Sequence, residues 1–410
     1  MSRLVSIGFI WLGCAVAWVI LGSTLLVRSG ETSGALLEEV HALWGPPLEL
    51  VPPSGGYTEM IPRPVKTTTR DAAGHDTEVV TVQEEAVRRA IDLTGSDLKI
   101  RLRMAQRQKG LLWFPTYDAE VSARYRFVNQ SGRMRRIDFT LPLPTDHAIV
   151  DGFSVLDDEG TPLDVKIQGG AAAFSTLMKD GEARTFHVAL RSRGTSRFAY
   201  APAAGTGEVR DLRLIMDTDF AEVDFPAGTL SPTRHAAGAA SWHGEWQFDR
   251  LIAGMGIAIE LPQRVNPGPL ASRITFFAPV GLLFFFFVVA VRAAARKEGD
   301  AFHPLNYFMF GCAFFAFHLL FAYLVDHVSI AAALTLSSLT SIFLVVSYAR
   351  VLVGWRFAIV ETGIAQLLYL VLFSITFLWK GYTGLSITLG AIVTLFVMMQ
   401  FTARRGLQTR

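Results

Sequence analysis

Five long apolar runs in the last third of the chain constrain its fold more than any other feature of the sequence. Ile274–Val291, Leu305–Val325, Ser329–Ala349, Phe357–Trp379 and Leu385–Phe401 are separated by short polar loops. Each is about long enough to cross a bilayer, which takes roughly 17–25 residues. Hydrocarbon offers no water to pair with backbone N–H and C=O groups, so each run is expected to be a helix. A sixth run, Leu4–Val27, follows Arg3 and is closed by Arg28. It is longer than the apolar core of a cleavable signal, about 7–15 residues, and reads as an uncleaved signal anchor. Within it, Gly13 and Ala17 form a small-xxx-small pair that would either admit another helix closely or face lipid.

Six crossings put both termini on one side. Arg3, then Arg292, Arg296 and Lys297, then Arg350 and Arg356, then Arg404, Arg405 and Arg410 all fall on one face of this scheme. The opposite short loops carry Asp326 and His327 in one and Lys380 in the other. By the bias of Lys and Arg toward the cytoplasm, the termini are expected there and the segment 29–270 outside it. Hydrophobic residues are 51% of the chain and its mean hydropathy is +0.34. The apolar excess sits at the two ends, which leaves a soluble region between them. Both cysteines, Cys14 and Cys312, lie in expected spans, so the exported region can form no disulfide.

In that region Leu36, Leu37, Val40, Leu43 and Trp44 recur at helical spacing, predicting a helix over Ala35–Trp44 that Gly45-Pro46-Pro47 stops. Glu38 and Glu39 on its polar side favour packing on the domain over lying on the membrane. Pro52, Pro53, Gly55 and Gly56 predict a loop. From Asp97 the period becomes two. Leu98, Ile100, Leu102 and Met104 alternate with Lys99, Arg101 and Arg103, and apolar residues recur at every second position over Tyr117–Phe127 and Ile137–Leu143, on either side of the Asn129–Gly132 turn. Leu163–Ile167, Phe186–Leu190, Leu212–Met216 and Met255–Leu261 continue the pattern. Such half-buried strands predict antiparallel sheet, in one or two β-sandwiches over 97–200 and 205–262. The expected class is therefore an α plus β membrane protein. It has a signal-anchor helix at 1–28, an exported β-sandwich-type region at 29–270 and a bundle of five transmembrane helices at 271–410.

No catalytic or phosphate-binding motif is present, and no cofactor, metal or nucleic-acid partner is expected. Asp217, Asp219, Glu222 and Asp224 lack the glycine and terminal Glu of a calcium loop. Inside the membrane, His318 and Glu361 are the costly residues. They are about 15 Å apart in depth, so Gln366 and Tyr369 are the better partners for His318. The expected role of these side chains is interhelical hydrogen bonding, with a polar ligand or proton site as the alternative. On the expected strands, Lys99, Arg101 and Arg103 share one polar face, and Arg124 and Arg126 share another. If the two strands adjoin, they would offer a positive surface to anionic lipid; otherwise they are solvated side chains paired with acids elsewhere.

Several motifs carry a family resemblance. Phe302-His303-Pro304-Leu305-Asn306-Tyr307-Phe308-Met309-Phe310-Gly311, followed by Leu324-Val325-Asp326-His327-Val328, resembles the CreD family of bacterial inner-membrane proteins. Trp44-Gly45-Pro46-Pro47, Lys109-Gly110-Leu111 with Tyr117, and Ser231-Pro232-Thr233 with Trp242 and Trp246 are similar to elements of that family. Asp326 stands where the family usually has Glu, His318 where it has Tyr, and Arg264–Arg273 lacks its basic-aromatic pattern. The resemblance implies a signal anchor, a large periplasmic domain and a C-terminal helical block. It also implies a role in envelope integrity or stress, linked to colicin tolerance and antibiotic response. It marks His303, Pro304, Asp326 and His327 as motif positions and supplies no catalytic residue. Two readings follow. In one, the exported domain of a non-enzymatic envelope protein binds an envelope component, a partner protein or anionic lipid. In the other, a transporter or membrane enzyme has a polar site among its helices. The chain shows no internal repeat of the kind transporters commonly carry, which favours the first.

Overall fold

The computed structural model describes residues 3–70, 76–110, 112–144, 149–202, 208–252, 254–295, 302–379 and 381–406. The chain divides into two compact units. One comprises Met1–Leu36, Gln108–Trp113 and Val265–Arg410, the other Leu37–Arg107 and Phe114–Arg264.

The first unit is helical. Its helices are α1 (Arg3–Trp44), whose last turns from Leu37 belong to the other unit, α2 (Pro267–Ala295), α3 (Pro304–Leu324), α4 (Ile330–Val353), α5 (Trp355–Leu378) and α6 (Thr383–Gly406). All six are long and apolar enough to cross a membrane. Local chemistry sets their ends. Pro304 opens α3, where its missing N–H costs nothing. The Ser329 hydroxyl accepts the Ala332 N–H at the start of α4. Gly354, at φ 87°, separates α4 from α5. Within α5, Ala358–Gly363 and Leu367–Leu372 are π-helical.

The expected break between the anchor and the Ala35–Trp44 helix does not occur: α1 is continuous over 42 residues. Arg28–Gly34 contains no proline, and a helical glycine costs only about 1 kcal/mol. The helix stops where Gly45 takes φ 92° and returns its N–H to the His41 carbonyl. Nor do Gly13 and Ala17 make the close approach, because Gly13 is exposed. Gly22 makes it instead, against the Phe276 ring. The Ser272 hydroxyl donates to Gly22 O at 3.0 Å, and Trp11 Nε1 donates to Pro279 O at 2.8 Å. The interior is aromatic, with Phe285, Phe302, Phe310 and Phe314 fully buried. Leu389, Ile392, Val393 and Phe396 of α6 are more than half exposed, as lipid-facing side chains would be.

The second unit is β-rich. The strands of the chain are β1 (Leu48–Leu50), β2 (Ser54–Arg70), β3 (Asp76–Ile91), β4 (Leu93–Met104), β5 (Arg107–Lys109), β6 (Leu112–Phe114), β7 (Thr116–Val128), β8 (Arg135–Pro142), β9 (Val150–Leu156), β10 (Lys166–Gln168), β11 (Ala171–Met178), β12 (Ala183–Thr195), β13 (Arg197–Tyr200), β14 (Val209–Thr218), β15 (Arg234–Ala237), β16 (Trp242–Leu251) and β17 (Ile257–Glu260). A seven-stranded sheet runs in the order β15-β16-β14-β4-β7-β12-β9. A five-stranded sheet, β10-β11-β8-β2-β3, and a three-stranded sheet, β1-β13-β17, complete the core. Alternation places Phe127 and Phe186 of the large sheet against Phe139 and Phe174 of the five-stranded one, with ring centroids 4.6–5.2 Å apart for the Phe139 contacts. The expected helix end packs on this unit, with Val40 buried and Trp44 under the Arg107 and Arg193 guanidinium groups.

Four expectations need correction. Strands from 97–200 and from 205–262 share the seven-stranded sheet, so the region is not two sandwiches. The sheets are not purely antiparallel, since β14 pairs parallel with β4 and β1 parallel with β13. Leu163–Ile167 is mostly not strand; Pro162 precedes it and only Lys166–Gln168 pairs. Gly55 and Gly56 lie in β2, not in a loop. Gly55 packs on the Phe139 ring, where a Cβ would not fit.

Candidate functional site

In the helical unit, α1, α2, α3 and the segment Gln108–Trp113 enclose a cavity of about 370 Å³. Leu25, Leu36, Leu112, Ala271, Ala322 and Val325 make its wall largely apolar, and Arg28, Ser29, Thr32, Asp326 and His327 supply the polar part. Each part is held locally. Past the end of α3, the Val325 N–H returns to Phe321 O, and the His327 and Val328 N–H groups return to Leu324 O, which fixes Asp326 and His327 in a tight turn. Arg28 Nη2 donates to Asp326 Oδ2 at 2.8 Å. Gly268 leaves the space that Ser29 occupies, so α1 approaches the start of α2 closely. The Asn266 side chain accepts the Trp113 N–H at 2.9 Å and donates to the Trp113 carbonyl at 3.3 Å, pinning the short segment. Gly110 there takes φ +59°, which favours glycine.

The Arg28 and Asp326 side chains are 55% and 29% exposed, so the pair contributes about 0–1 kcal/mol to stability. Its chemical capacity lies in recognition. A cavity whose lining is mostly apolar but includes an ion pair accepts a molecule with an apolar body and a polar head.

The structure separates several of the residues singled out from the sequence. Asp326 and His327 line the cavity, whereas His303 and Pro304 stand at the other end of α3, roughly 30 Å away along 21 residues. His318 is buried, donates from Nδ1 to Phe314 O at 3.0 Å, and meets the Trp18 ring edge-on at 5.6 Å. Gln366 Nε2 donates to Ser341 Oγ at 2.7 Å, and that hydroxyl donates to Ala313 O. The Tyr369 hydroxyl bonds Thr394 Oγ1 at 2.8 Å. His318, Gln366 and Tyr369 therefore engage three different partners and form no common site.

Glu361 is different again. Both of its oxygens accept from the Arg292 guanidinium, in a bidentate pair between α5 and α2. The signal was present in the sequence: Arg292 lies within a turn of the end of α2, and Glu361 within two turns of the start of α5, which gives them similar depth.

β4 and β7 are neighbours, as a basic surface requires, but the register sets acids against the arginines. Arg124 pairs with Asp97 at 2.7 Å, and Arg101 and Arg103 flank Glu120 at 3.5 and 3.7 Å. Lys99 and Arg126 have no ionic partner among the described residues. The expected positive surface is thus largely a set of cross-strand ion pairs. Beside it, Asp217 bonds His243 at 2.7 Å and raises the imidazole pKa above its ordinary value. Among the described residues no three His, Cys, Asp or Glu side chains are grouped to hold a metal ion. His75 and His147 lie outside the described residues.

A β-rich region carried between the first and second of six potential membrane helices defines a membrane protein of the α+β class. The chain belongs to the family of inner membrane protein CreD, whose family model matches residues 1–406. It is accordingly an inner-membrane protein. No curated protein matches it. Among solved structures it is similar to a Legionella pneumophila protein proposed to bind nutrients, at 10% identity over 62% of this chain and 84% of that one, with a TM-score of 0.31. It is also similar to an M1 zinc metallopeptidase from Deinococcus radiodurans, at 10% identity over 42% of each chain and a TM-score of 0.24. A third is leukotriene A4 hydrolase from Saccharomyces cerevisiae, at 10% identity over 42% of this chain and 29% of that one, with a TM-score of 0.25. The chain spans less than half the length of those two enzymes.

Proposed function

We propose that this chain is a non-enzymatic envelope protein with both termini in the cytoplasm and its β-rich unit on the periplasmic side. In this reading the cavity beside Arg28 and Asp326 holds an amphiphilic envelope component, with its apolar part inside and its polar head at the ion pair. A role in envelope integrity or stress response would follow from occupancy of that cavity. Charge supports the orientation. Arg292, Arg350 and Arg356 stand at the helix ends remote from Asp326, and Arg3, Arg404 and Arg405 fall at the same end of the sequence scheme. Arg296, Lys297, Lys380 and Arg410 lie outside the described residues.

The observation that carries the reading is the cavity itself. Its wall is largely apolar and also carries two residues of the family-like motif and a counter-charge from α1. The test is native mass spectrometry of the full-length protein extracted in mild detergent. The parent is expected to retain a lipid-like adduct. Thr32→Trp, which fills the cavity from an exposed position, should lower its occupancy about tenfold, and Arg28→Gln should weaken it less. Equal occupancy in all three proteins would refute the assignment.

A further inference from the structure

Beyond Gly56 the β2–β3 hairpin leaves its sheet. β2 pairs with β8 only at Ser54, Gly55 and Gly56, yet it pairs with β3 as far as Arg70 opposite Asp76. β3 is the terminal strand of its sheet, so its outer edge has no strand against it among the described residues. A two-stranded ribbon is marginally stable alone, and an open edge is a template for another strand. The two edges of this ribbon are unlike. β2 carries Pro62 and Pro64, and a strand proline sits where its missing N–H faces away from the partner. β3 has no proline from Asp76 to Ile91. The ribbon can therefore extend on the β3 side.

The exposed side chains say what fits there. Met60, Pro62, Pro64, Val80, Val82 and Ala86 share one exposed face, with Met60 opposite Ala86 and Pro64 opposite Val82. Glu84 and Arg88 lie on that face and have no ionic partner among the described residues. On the other face, Glu85 pairs with Arg63 at 3.0 Å and Arg89 with Glu59 at 3.6 Å. Glu84 and Arg88 flank Ala86 symmetrically, two residues to either side, and carry opposite charges. An antiparallel copy with Ala86 opposite Ala86 keeps each side chain on its own face. It sets Glu84 against the partner's Arg88, Arg88 against the partner's Glu84, and Val82 against the partner's Ala90. Charges placed only to blunt an edge would need no such order.

We propose that the open edge of β3 docks a second copy of this chain, antiparallel about Ala86, through a two-fold interface that joins two ribbons into one four-stranded sheet.

Disulfide trapping of the full-length protein in native membranes tests this, with Cys14 and Cys312 replaced by alanine. Directly opposed residues of an antiparallel pair have Cα atoms about 4.5–5.5 Å apart, within disulfide range. Ala86→Cys is expected to give a cross-linked dimer on mild oxidation. Thr81→Cys, whose own copy lies roughly 33 Å away in this register, is not. In the Ala86→Cys background, Glu84→Arg or Arg88→Glu alone sets like charges opposite each other twice and should lower the cross-linked fraction about tenfold. The two changes together restore opposite charges and should restore the dimer. The proposal is overturned by absence of the Ala86→Cys dimer, by equal cross-linking in the single variants, or by failure of the double variant to recover.

Discussion

Glu361→Ala is expected to destabilise the helical unit by about 3 kcal/mol. The carboxylate is buried and receives both hydrogen bonds of a bidentate arginine from a different helix. Removing it leaves a guanidinium without its counter-charge inside a span, and such a break costs about 3–5 kcal/mol. The lower end applies here because the Arg292 side chain is 22% exposed and can turn its head toward the helix end. Arg292→Met combined with Glu361→Leu removes both charges and keeps apolar volume. That double variant should lie within about 1 kcal/mol of the parent. Thermal unfolding of the purified full-length protein in detergent measures both. A single variant no worse than the double one would show that the pair carries no such burden.

Phe139→Ala should cost the β-rich unit about 4 kcal/mol. Phe139 has no solvent exposure and sits where the five-stranded and seven-stranded sheets meet. Its ring stacks on Phe174 at 5.2 Å and meets Phe186 and Phe127 edge-on at 4.6 and 5.0 Å. Alanine removes the contacts from both sheets at once, and three rings held by three strands of two sheets cannot collapse into the space. Phe139→Leu keeps most of the volume and should lose less than half as much. Denaturation of the full-length protein, followed by protease resistance of the 37–264 fragment, reads the difference. A loss below about 1 kcal/mol for Phe139→Ala would mean that the sheets do not depend on this cluster.

The readable parts of the sequence were those whose signal is local. Length and apolarity alone placed α2 to α6, because a span must satisfy its own backbone. Alternation placed β4, β7 and β8, because each buries one face. The same logic explains what was hidden. β2 and β3 expose both faces over most of their length, so their residues show no alternation, and Pro62 and Pro64 further disguise a strand. The lower part of α1 contains Gly30 and Gly34, which resemble a break, although continuous hydrogen bonding outweighs them. Parallel pairing of β14 with β4 leaves no mark in either strand. The cavity draws on four separate stretches of chain; Arg28, Leu36, Gly110 and Val325-Asp326-His327 stood out for separate reasons, and nothing local joins them. The basic residues of β4 and β7 were visible, but their neutralisation by Asp97 and Glu120 is a matter of register.

The proposed topology sets the β-rich segment across the membrane from both termini. Paired reporters, one active only in the cytoplasm and one only outside it, can be fused after residue 150 and after Arg296, Asp326, Arg350, Lys380 and Arg410. The expected result is outside, inside, outside, inside, outside, inside, in that order. Cytoplasmic activity from the reporter at residue 150 would contradict it.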